Sequence, residues 1–500
     1  MSFLELMISI PSHRWCLAAL MGLGTIASTQ AQNYDSIIEQ LVTKGVLTVD
    51  ESNTLREEAD RGFTQSYAVH TGMPDWLNSM NVGGDLLVRY DGISTQNTLF
   101  DRQNLFSYRV RMAFTAEYFN QFETGIRLTS GDLERASSIR YGVDPITGQQ
   151  FYENNASKKA ILIDLAYLRW NAVKSADWNA SLTAGKLINP FEMSELIFDR
   201  DYTPEGIAQT FSYQITDRQS LRTHLGAFVL DDIGSLSMTE VGRGGRDSYL
   251  FGGQTLHEVQ WTPKFSTTTG LGWLAITHDQ NLSPQYDADG FPIPGTGTPV
   301  VNGGNLRYLE ESRRGQLVYG YNSWVVDLAA TYQLSTFPGY EGVFPLRGSV
   351  ELIRNTQAPT TSRDGYQIGM QMGQAGRKGT WQINYAYRVS EGDAWWDQMV
   401  DSNFGAFYEG PIPVGATTTR DTLIDQVSPY SDNPTAPTRV RGRGYLTGTN
   451  VRGNIISASY SPYDMLTLNI TVYLTSLIQE LPYGSDSRTA RVQVNATVLF

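Results

Sequence analysis

Polar and apolar side chains alternate without a break over residues 491–500, and the chain ends on an aromatic. Successive side chains of a strand point to opposite sides. Val492, Val494, Ala496, Val498 and Phe500 therefore share one face, and Arg491, Gln493, Asn495 and Thr497 the other. One face suits lipid and the other water. A strand of this kind, with an aromatic where a membrane interface would lie, predicts the closing strand of a transmembrane β-barrel of the bacterial outer membrane.

The opposite end agrees. Arg14 is the only Lys or Arg among residues 1–15, an apolar run covers 16–27, and Ser28-Thr-Gln-Ala31 follows. That order predicts a secretory signal over 1–31, cleaved after Ala31. The run is shorter than the ~20 residues of a spanning helix. Glu5 and the long stretch before Arg14 are unusual in such a leader and point to a translation start nearer Met7. The single cysteine, Cys16, would leave with the signal, and His13-Arg14-Trp15 before it do not fit a lipoprotein site. A mature chain without thiols suits an oxidising compartment.

Composition narrows the class. Hydrophobic residues make up 41% of the chain, with 47 Gly, 27 Tyr and 10 Trp, yet no later apolar run approaches 18 residues. Helical membrane proteins are thereby excluded, and closed barrels are the remaining way to satisfy every backbone group in lipid. The formal charge of −13 argues against nucleic acid as a partner.

Between 32 and 62 the period is helical. Ile37, Ile38, Leu41 and Val42 form a stripe that Gly45 can end, and Thr48-Val-Asp-Glu51 fits a capping box opening a second helix with Leu55 and Ala59 on its apolar side. A periplasmic helical hairpin is expected there, then a linker over 63–79 and the barrel over 80–500. Sixteen period-two strands are expected in the barrel, at 82–91, 105–119, 122–130, 161–170, 178–186, 207–216, 221–230, 249–261, 265–276, 322–334, 346–354, 365–374, 379–388, 451–460, 465–475 and 488–500. The strongest is 105–119, where Phe106, Tyr108, Val110, Met112, Phe114, Ala116 and Tyr118 alternate with polar or small residues. Tight turns such as 119–122, 216–220, 262–264, 375–378 and 461–464 contrast with long connections at 130–160, 187–206, 277–315 and 389–440. Short turns belong to the periplasm and long loops to the outside. Tyr118, Trp170, Tyr387 and Phe500 are expected to rim the apolar band.

Barrels of 16–18 strands leave a water-filled channel, whereas those near eight fill their interior with side chains. A passive pore is expected, for small hydrophilic solutes and preferring anions. The residues expected to line it are Arg89, Arg109, Arg111, Arg127, Asp164, Arg347, Glu351 and Arg388. Arg109, Arg111 and Arg127 fall mid-strand on one hairpin, where Arg111 and Arg127 become diagonal cross-strand neighbours whose repulsion a passing anion would relieve. Lys186, Glu192, Glu195, Asp199, Arg200, Asp201 and Glu205 crowd into a loop stiffened by Pro190 and Pro204, which is expected to fold inward as a constriction. The alternative is a surface-binding or envelope-assembly barrel that works through its long loops 277–315 and 389–440.

Enzyme signals are weak. His257-Glu258 opens a metalloprotease-like pattern, but Trp261 stands where the second histidine is needed. Asp287-Ala-Asp-Gly290 lacks the later acidic ligand of a calcium loop, and Gly242-Arg-Gly-Gly245 has no strand-to-helix context for phosphate. Neither a catalytic set nor a metal or cofactor site is expected. Expected partners are outer-membrane lipid and lipopolysaccharide, small hydrophilic solutes and further copies of the chain.

Specific motifs add a family. Leu182-Thr-Ala-Gly-Lys-Leu-Ile-Asn-Pro-Phe191, continuing to Phe198-Asp-Arg-Asp-Tyr-Thr-Pro-Glu-Gly206, resembles a segment of the bacterial outer-membrane "putative porin" family. So do Gly125-Ile-Arg-Leu-Thr-Ser-Gly131, Ala166-Tyr-Leu-Arg-Trp170, Gly392-Asp-Ala-Trp-Trp-Asp397 with Asp401-Ser-Asn-Phe404, Gly448-Thr-Asn-Val-Arg-Gly453, and the N-terminal Lys44-Gly-Val-Leu-Thr with Glu51. The resemblance spans almost the whole mature chain and implies a diffusion channel. Arg200 and Tyr202, between the aspartates, depart from the family's pattern.

Overall fold

The computed structural model describes residues 76–96, 102–131, 139–140, 159–231, 247–279, 282, 303–308, 316–406, 439–440, 448–479 and 487–500. The expected signal, helical hairpin and most of the linker lie outside the described residues, as do the 242–245 and 287–290 motifs. Two compact units are distinguished, 1–79 and 80–500. The second is a closed antiparallel β-barrel.

Besides the two-residue strand Ile139–Arg140, which pairs with Ser107 and Tyr108, its strands among the described residues are β1 (Leu77–Thr95), β2 (Gln103–Tyr118), β3 (Phe122–Ser130), β4 (Ile161–Lys174), β5 (Trp178–Lys186), β6 (Glu205–Thr216), β7 (Gln219–Asp231) and β8 (Ser248–Thr262). They continue with β9 (Phe265–Thr277), β10 (Asn322–Leu334), β11 (Phe344–Asn355), β12 (Asp364–Gly373), β13 (Trp381–Ser390), β14 (Val451–Tyr463), β15 (Leu466–Leu477) and β16 (Thr489–Leu499). Each pairs with its sequence neighbour, and β16 returns to β1 in register from Asp85↔Leu499 to Thr95↔Thr489. Residues 77–79, expected in the linker, are strand: the alternation of the first strand simply begins earlier than its apolar residues announce. The ladder runs to the end of the chain, where the Gly84 N–H donates to the Phe500 carbonyl at 2.8 Å and the Phe500 N–H donates back to Gly84 at 3.1 Å. The Phe500 ring lies on Gly84, and a Cβ there would stand 2.7 Å from it.

Alternation decides which face is which. On β2, Phe106, Met112 and Phe114 are exposed outward while Ser107 is buried. Aromatics collect at both ends of the outer face. Trp170, Trp178, Tyr213, Trp261, Tyr332, Tyr460 and Phe500 stand near the tight turns, and Phe106, Phe251, Trp273 and Trp324 near the long connections. Phe251 and Trp261 are ten positions apart on β8. At ~3.4 Å per residue and a tilt of ~40°, that separation is a rise of ~26 Å, the height of an outer-membrane apolar band.

Part of the inner face is polar. Across β13 to β16 and on to β1, hydrogen bonds chain Gln382 to Asn384 to Ser457, and Ser459 to Asn469 to Asn495 to Arg89.

Candidate constriction

Two connections leave the wall and turn into the barrel. The first, 187–204, departs from β5 and returns to β6; the second, 391–406, follows β13. β5 and β6 lie eight places round the ring from β13 and β14, on the opposite wall.

The glycines of the motifs at the feet of the first loop have a backbone reason. Gly185 and Gly206 are cross-strand partners, with φ of +118° and +152°. A Cβ would lie 2.3 Å from the Ala166 carbonyl at the one and 2.2 Å from the Ala227 carbonyl at the other. Only glycine fits such a conformation against a neighbouring strand. The Leu187 N–H then donates to the Pro204 carbonyl at 2.9 Å and draws the loop's two feet together. Asn189 caps the next turn by accepting the Phe191 N–H.

Beyond its feet the loop is apolar as well as charged. Phe191, Leu196, Ile197 and Phe198 are buried against inward-facing Phe228, Leu250, Leu274, Val325 and Ile353 of the wall and against Trp395, Trp396, Met399 and Val400 of the second loop. Phe198 stacks on Phe191 and Tyr202, and Trp395 meets it edge-on at 6.3 Å. Each large side chain buried in this way contributes ~1.5–3 kcal/mol, so the loops are seated rather than tethered. Their backbones join as well. Asp199 N–H donates to the Met399 carbonyl and Asp401 N–H to the Glu195 carbonyl, while Asp199 accepts the Ser402 N–H at 2.7 Å.

The charged residues of the loop each find a place. Lys186 pairs with Glu205 at 3.0 Å. Glu192 meets Arg222 at 3.0 Å and has His224 3.4 Å away. Glu195 pairs with Arg200 at 2.7 Å and lies 3.8 Å from Arg388. Burial, and then the charge of Asp401, push the Glu195 carboxyl up to about 7 against the pull of Arg200 and Arg388. Burial likewise raises Asp199. Asp201 reaches across to Arg111 at 2.6 Å and Arg109 at 3.4 Å.

The wall residues divide into two groups. Arg109 also holds Asp85 at 2.9 Å, and Asp164 is shared by Arg127 at 2.6 Å and Arg111 at 3.4 Å. Arg111 and Arg127 are diagonal neighbours as the register expects, with Arg111 opposite Thr129 and Arg127 opposite Ala113. Their mutual repulsion, however, is offset by the carboxylate between them, so the expectation that a passing anion relieves it is corrected. Arg89 bonds the neutral Asn495. Glu351 and Arg388 form the second group, buried beneath the loops. Glu351 accepts both the N–H and the hydroxyl of Ser194. Arg388 is 2.8 Å from Asp401 and lies over the Phe404 ring. Arg347 faces inward on β11 away from both groups and is exposed.

Some residues had no reading of their own from sequence. Trp395, Trp396 and Asp401 appeared only within family motifs, and Asn305 not at all. Asn305 is fully buried, donates to the Gly392 and Trp395 carbonyls and accepts the Asp397 N–H, fastening 303–308 to the second loop. A Leu-Ile-Phe run and a Trp-Trp pair inside polar connections were the available signals, because solvated loops rarely carry them.

Residues 92–280 match a family model described as "putative porin". No curated protein matches the chain. OprB of Pseudomonas putida, in its high-pH structure, is similar at 11% identity, covering 88% of this chain and 97% of that one, with a TM-score of 0.48. OmpF of Salmonella typhi, in complex with daunomycin, is similar at 10% identity, covering 84% of this chain and 97% of that one, with a TM-score of 0.41.

Proposed function

We propose, from the premise that residues 92–280 match the "putative porin" family within a closed barrel, that this chain is a passive diffusion channel of the bacterial outer membrane for small hydrophilic solutes. The observation that carries the reading is the inward fold of 187–204 and 391–406. A ring of sixteen strands is too wide for side chains alone to fill, and here backbone loops narrow it while the polar row from Gln382 to Arg89 lies, among the described residues, outside the apolar clusters that seat the loops. Catalysis has no part in this reading. The pore-facing set is Arg89, Arg109, Arg111, Arg127, Asp164 and Arg347, with Asp201 of the loop opposite; Glu351 and Arg388 act beneath the loops as their anchors.

A weak anion preference follows. On β1 to β4 and β16, Arg109, Arg111, Arg127, Arg169 and Arg491 are matched by Asp85, Asp201, Asp164, Glu123 and Asp91, while Arg89 hydrogen-bonds the neutral Asn495. Selectivity is set by groups at the constriction rather than by the acidic total.

Single-channel recording in planar bilayers tests the reading. Replacing 188–203 by a short Gly-Ser turn is expected to raise unit conductance. Silence from both proteins after heat-modifiable insertion would favour a barrel that works through its outer loops. Cation selectivity in the reversal potential under a salt gradient would remove the anion preference alone.

A further inference from the structure

Alternation puts every second residue of a strand on the inner face, and the register lines those residues up in rows across the wall. One row runs Arg89, Asn495, Asn469, Ser459 and Gln382 on β1, β16, β15, β14 and β13. The next row towards the long connections runs from Gln493 through Thr471, Ser457 and Asn384 to Gln371 on β12. Arg89 alone among these carries a charge; the rest are neutral hydrogen-bonding side chains. Adjacent strands lie ~4.8 Å apart, so the row from Arg89 to Gln382 covers about 19 Å of wall. Its place relative to the inward loops is set by Gln493, whose amide donates to Asn403 of 391–406 at 2.8 Å. Asn495 follows two residues later, on the tight-turn side of that contact.

The cation at the end of the row differs from its neighbours. Arg89 donates its Nε N–H to the Asn495 Oδ1 at 2.8 Å, and among the described residues its terminal nitrogens meet no carboxylate. Asp91 and Asp201 lie within charge range of it, but both are engaged elsewhere. Arg491 at 2.9 Å and Gln493 at 3.3 Å hold Asp91, while Arg111 at 2.6 Å and Arg109 at 3.4 Å hold Asp201. The charge of Arg491 adds to the positive side.

The neutral residues of the rows are left with donors. Asn469 is satisfied throughout: its Oδ1 accepts the Thr471 hydroxyl and the Asn495 amide, and its Nδ2 reaches Ser459 at 3.0 Å and the Ala458 carbonyl at 3.4 Å. An amide nitrogen carries two N–H groups and a serine hydroxyl one O–H. One N–H of Asn495, one of Asn384, and the O–H groups of Ser457 and Ser459, which accept from Asn384 and Asn469, therefore remain. All four side chains are half-buried and within reach of the passage. The end of a guanidinium fork binds a carboxylate through two charge-assisted hydrogen bonds, and the donors beyond it, one strand spacing apart, suit oxygen atoms along a carbon chain. A carboxylate without hydroxyls leaves those donors unmatched, and a neutral sugar leaves the guanidinium unmatched.

We propose that this row is a binding subsite for hydroxylated carboxylates, with Arg89 holding the carboxylate and Asn495, Ser459, Ser457 and Asn384 the hydroxyls. The inference rests on the channel reading and gives it a solute class. A solute held in this way delays its own passage and interrupts the ionic current. The test inserts the full chain in planar bilayers in potassium chloride and adds D-gluconate, hexanoate or D-glucose. Gluconate is expected to interrupt the wild-type current at a concentration about 10-fold or more below that needed of hexanoate or glucose. Arg89→Gln should weaken the gluconate block by about 10-fold or more and leave the response to glucose as it was, and Arg89→Lys should keep part of the block. The Asn384→Ala, Ser459→Ala double variant should bring gluconate towards hexanoate without moving hexanoate itself. Heat-modifiable migration of each variant shows that its barrel has formed. Equal block by gluconate and hexanoate in the wild type, or gluconate block in Arg89→Gln as strong as in the wild type, would overturn the subsite while the channel reading stands. A wild-type barrel that inserts and carries no current would overturn the channel reading, and the subsite with it.

Discussion

Replacing Asp401 with Asn removes one charge from the junction between the two inward loops and little else. Asn keeps an oxygen for the Asn403 N–H that Asp401 accepts at 2.8 Å, so the local turn survives. What is lost is the ion pair with Arg388, at 2.8 Å, with side chains only 3% and 1% exposed. Removing one partner of a buried pair costs ~3–5 kcal/mol, because the remaining charge is left uncompensated. Glu195, 3.8 Å from the same guanidinium, takes over part of the partnership, which puts the expected penalty near the lower end, ~3 kcal/mol. That corresponds to roughly a hundredfold rise in the population of detached loop. Hydrogen exchange read on peptides covering 391–406 should show this loss of protection, while amides in the ladders of β1 to β16 and the heat-modifiable gel shift stay as in the wild type. The Arg388→Met, Asp401→Leu double variant, which buries no charge, should regain most of the protection. Unchanged exchange in Asp401→Asn would refute the claim that this pair seats the loop, and collapse of the whole barrel would refute its being local.

Glu195 predicts a pH response. Its carboxyl, raised from 4.5 to about 7, favours the docked loop when protonated; that contribution is fully present below pH 4.5 and is lost as pH rises through 7. Protection factors of 187–204, taken relative to the intrinsic base-catalysed exchange rate at each pH, should therefore fall between pH 5 and 8 in the wild type and stay flat in Glu195→Gln; an equal fall in the variant would assign the response elsewhere. In Asp401→Asn the midpoint should move down, since a like charge has gone and Arg388 is left to Glu195. Phe500→Asp should reduce assembly into heat-modifiable barrel, because the ring that covers Gly84 is replaced by a charge on the lipid side; normal insertion would count against Phe500 as an assembly signal. Gly206→Val should be worse for assembly than Gly348→Val, which has nothing within 4 Å of its Cβ position; equal yields on gels would contradict the close approach at the loop's foot.

The wall was legible because one side of each strand must meet lipid and the other water. The strands expected at 122–130, 178–186 and 322–334 have those bounds in the structure, and the others differ by a few residues at their ends, where alternation gives way to turn chemistry. The charge pairing was not legible. Asp201 and Arg111 are 90 positions apart, and no local pattern says which of several nearby carboxylates a guanidinium will take. Alternation placed Arg109, Arg111, Arg127 and Asp164 on the inner face without the geometry that offsets their charges. The burial of Glu351 and Arg388 was hidden for the same reason: alternation assigns a residue to the inner face but cannot say whether water or a folded-in loop covers it.

The meeting of the two loops has a mechanical meaning. They spring from opposite walls and interlock through Phe198, Trp395 and paired backbone hydrogen bonds, which makes them a strut across a hoop. A bare sheet ring can ovalise under the lateral pressure of the surrounding bilayer by small changes in strand twist, without breaking a hydrogen bond. With a close-packed strut in place, flattening must compress a nearly incompressible cluster or pull its two halves apart. Loosening the junction should therefore soften the ring's cross-section as well as widen the passage, so that fluctuations of the wall and of the opening rise together.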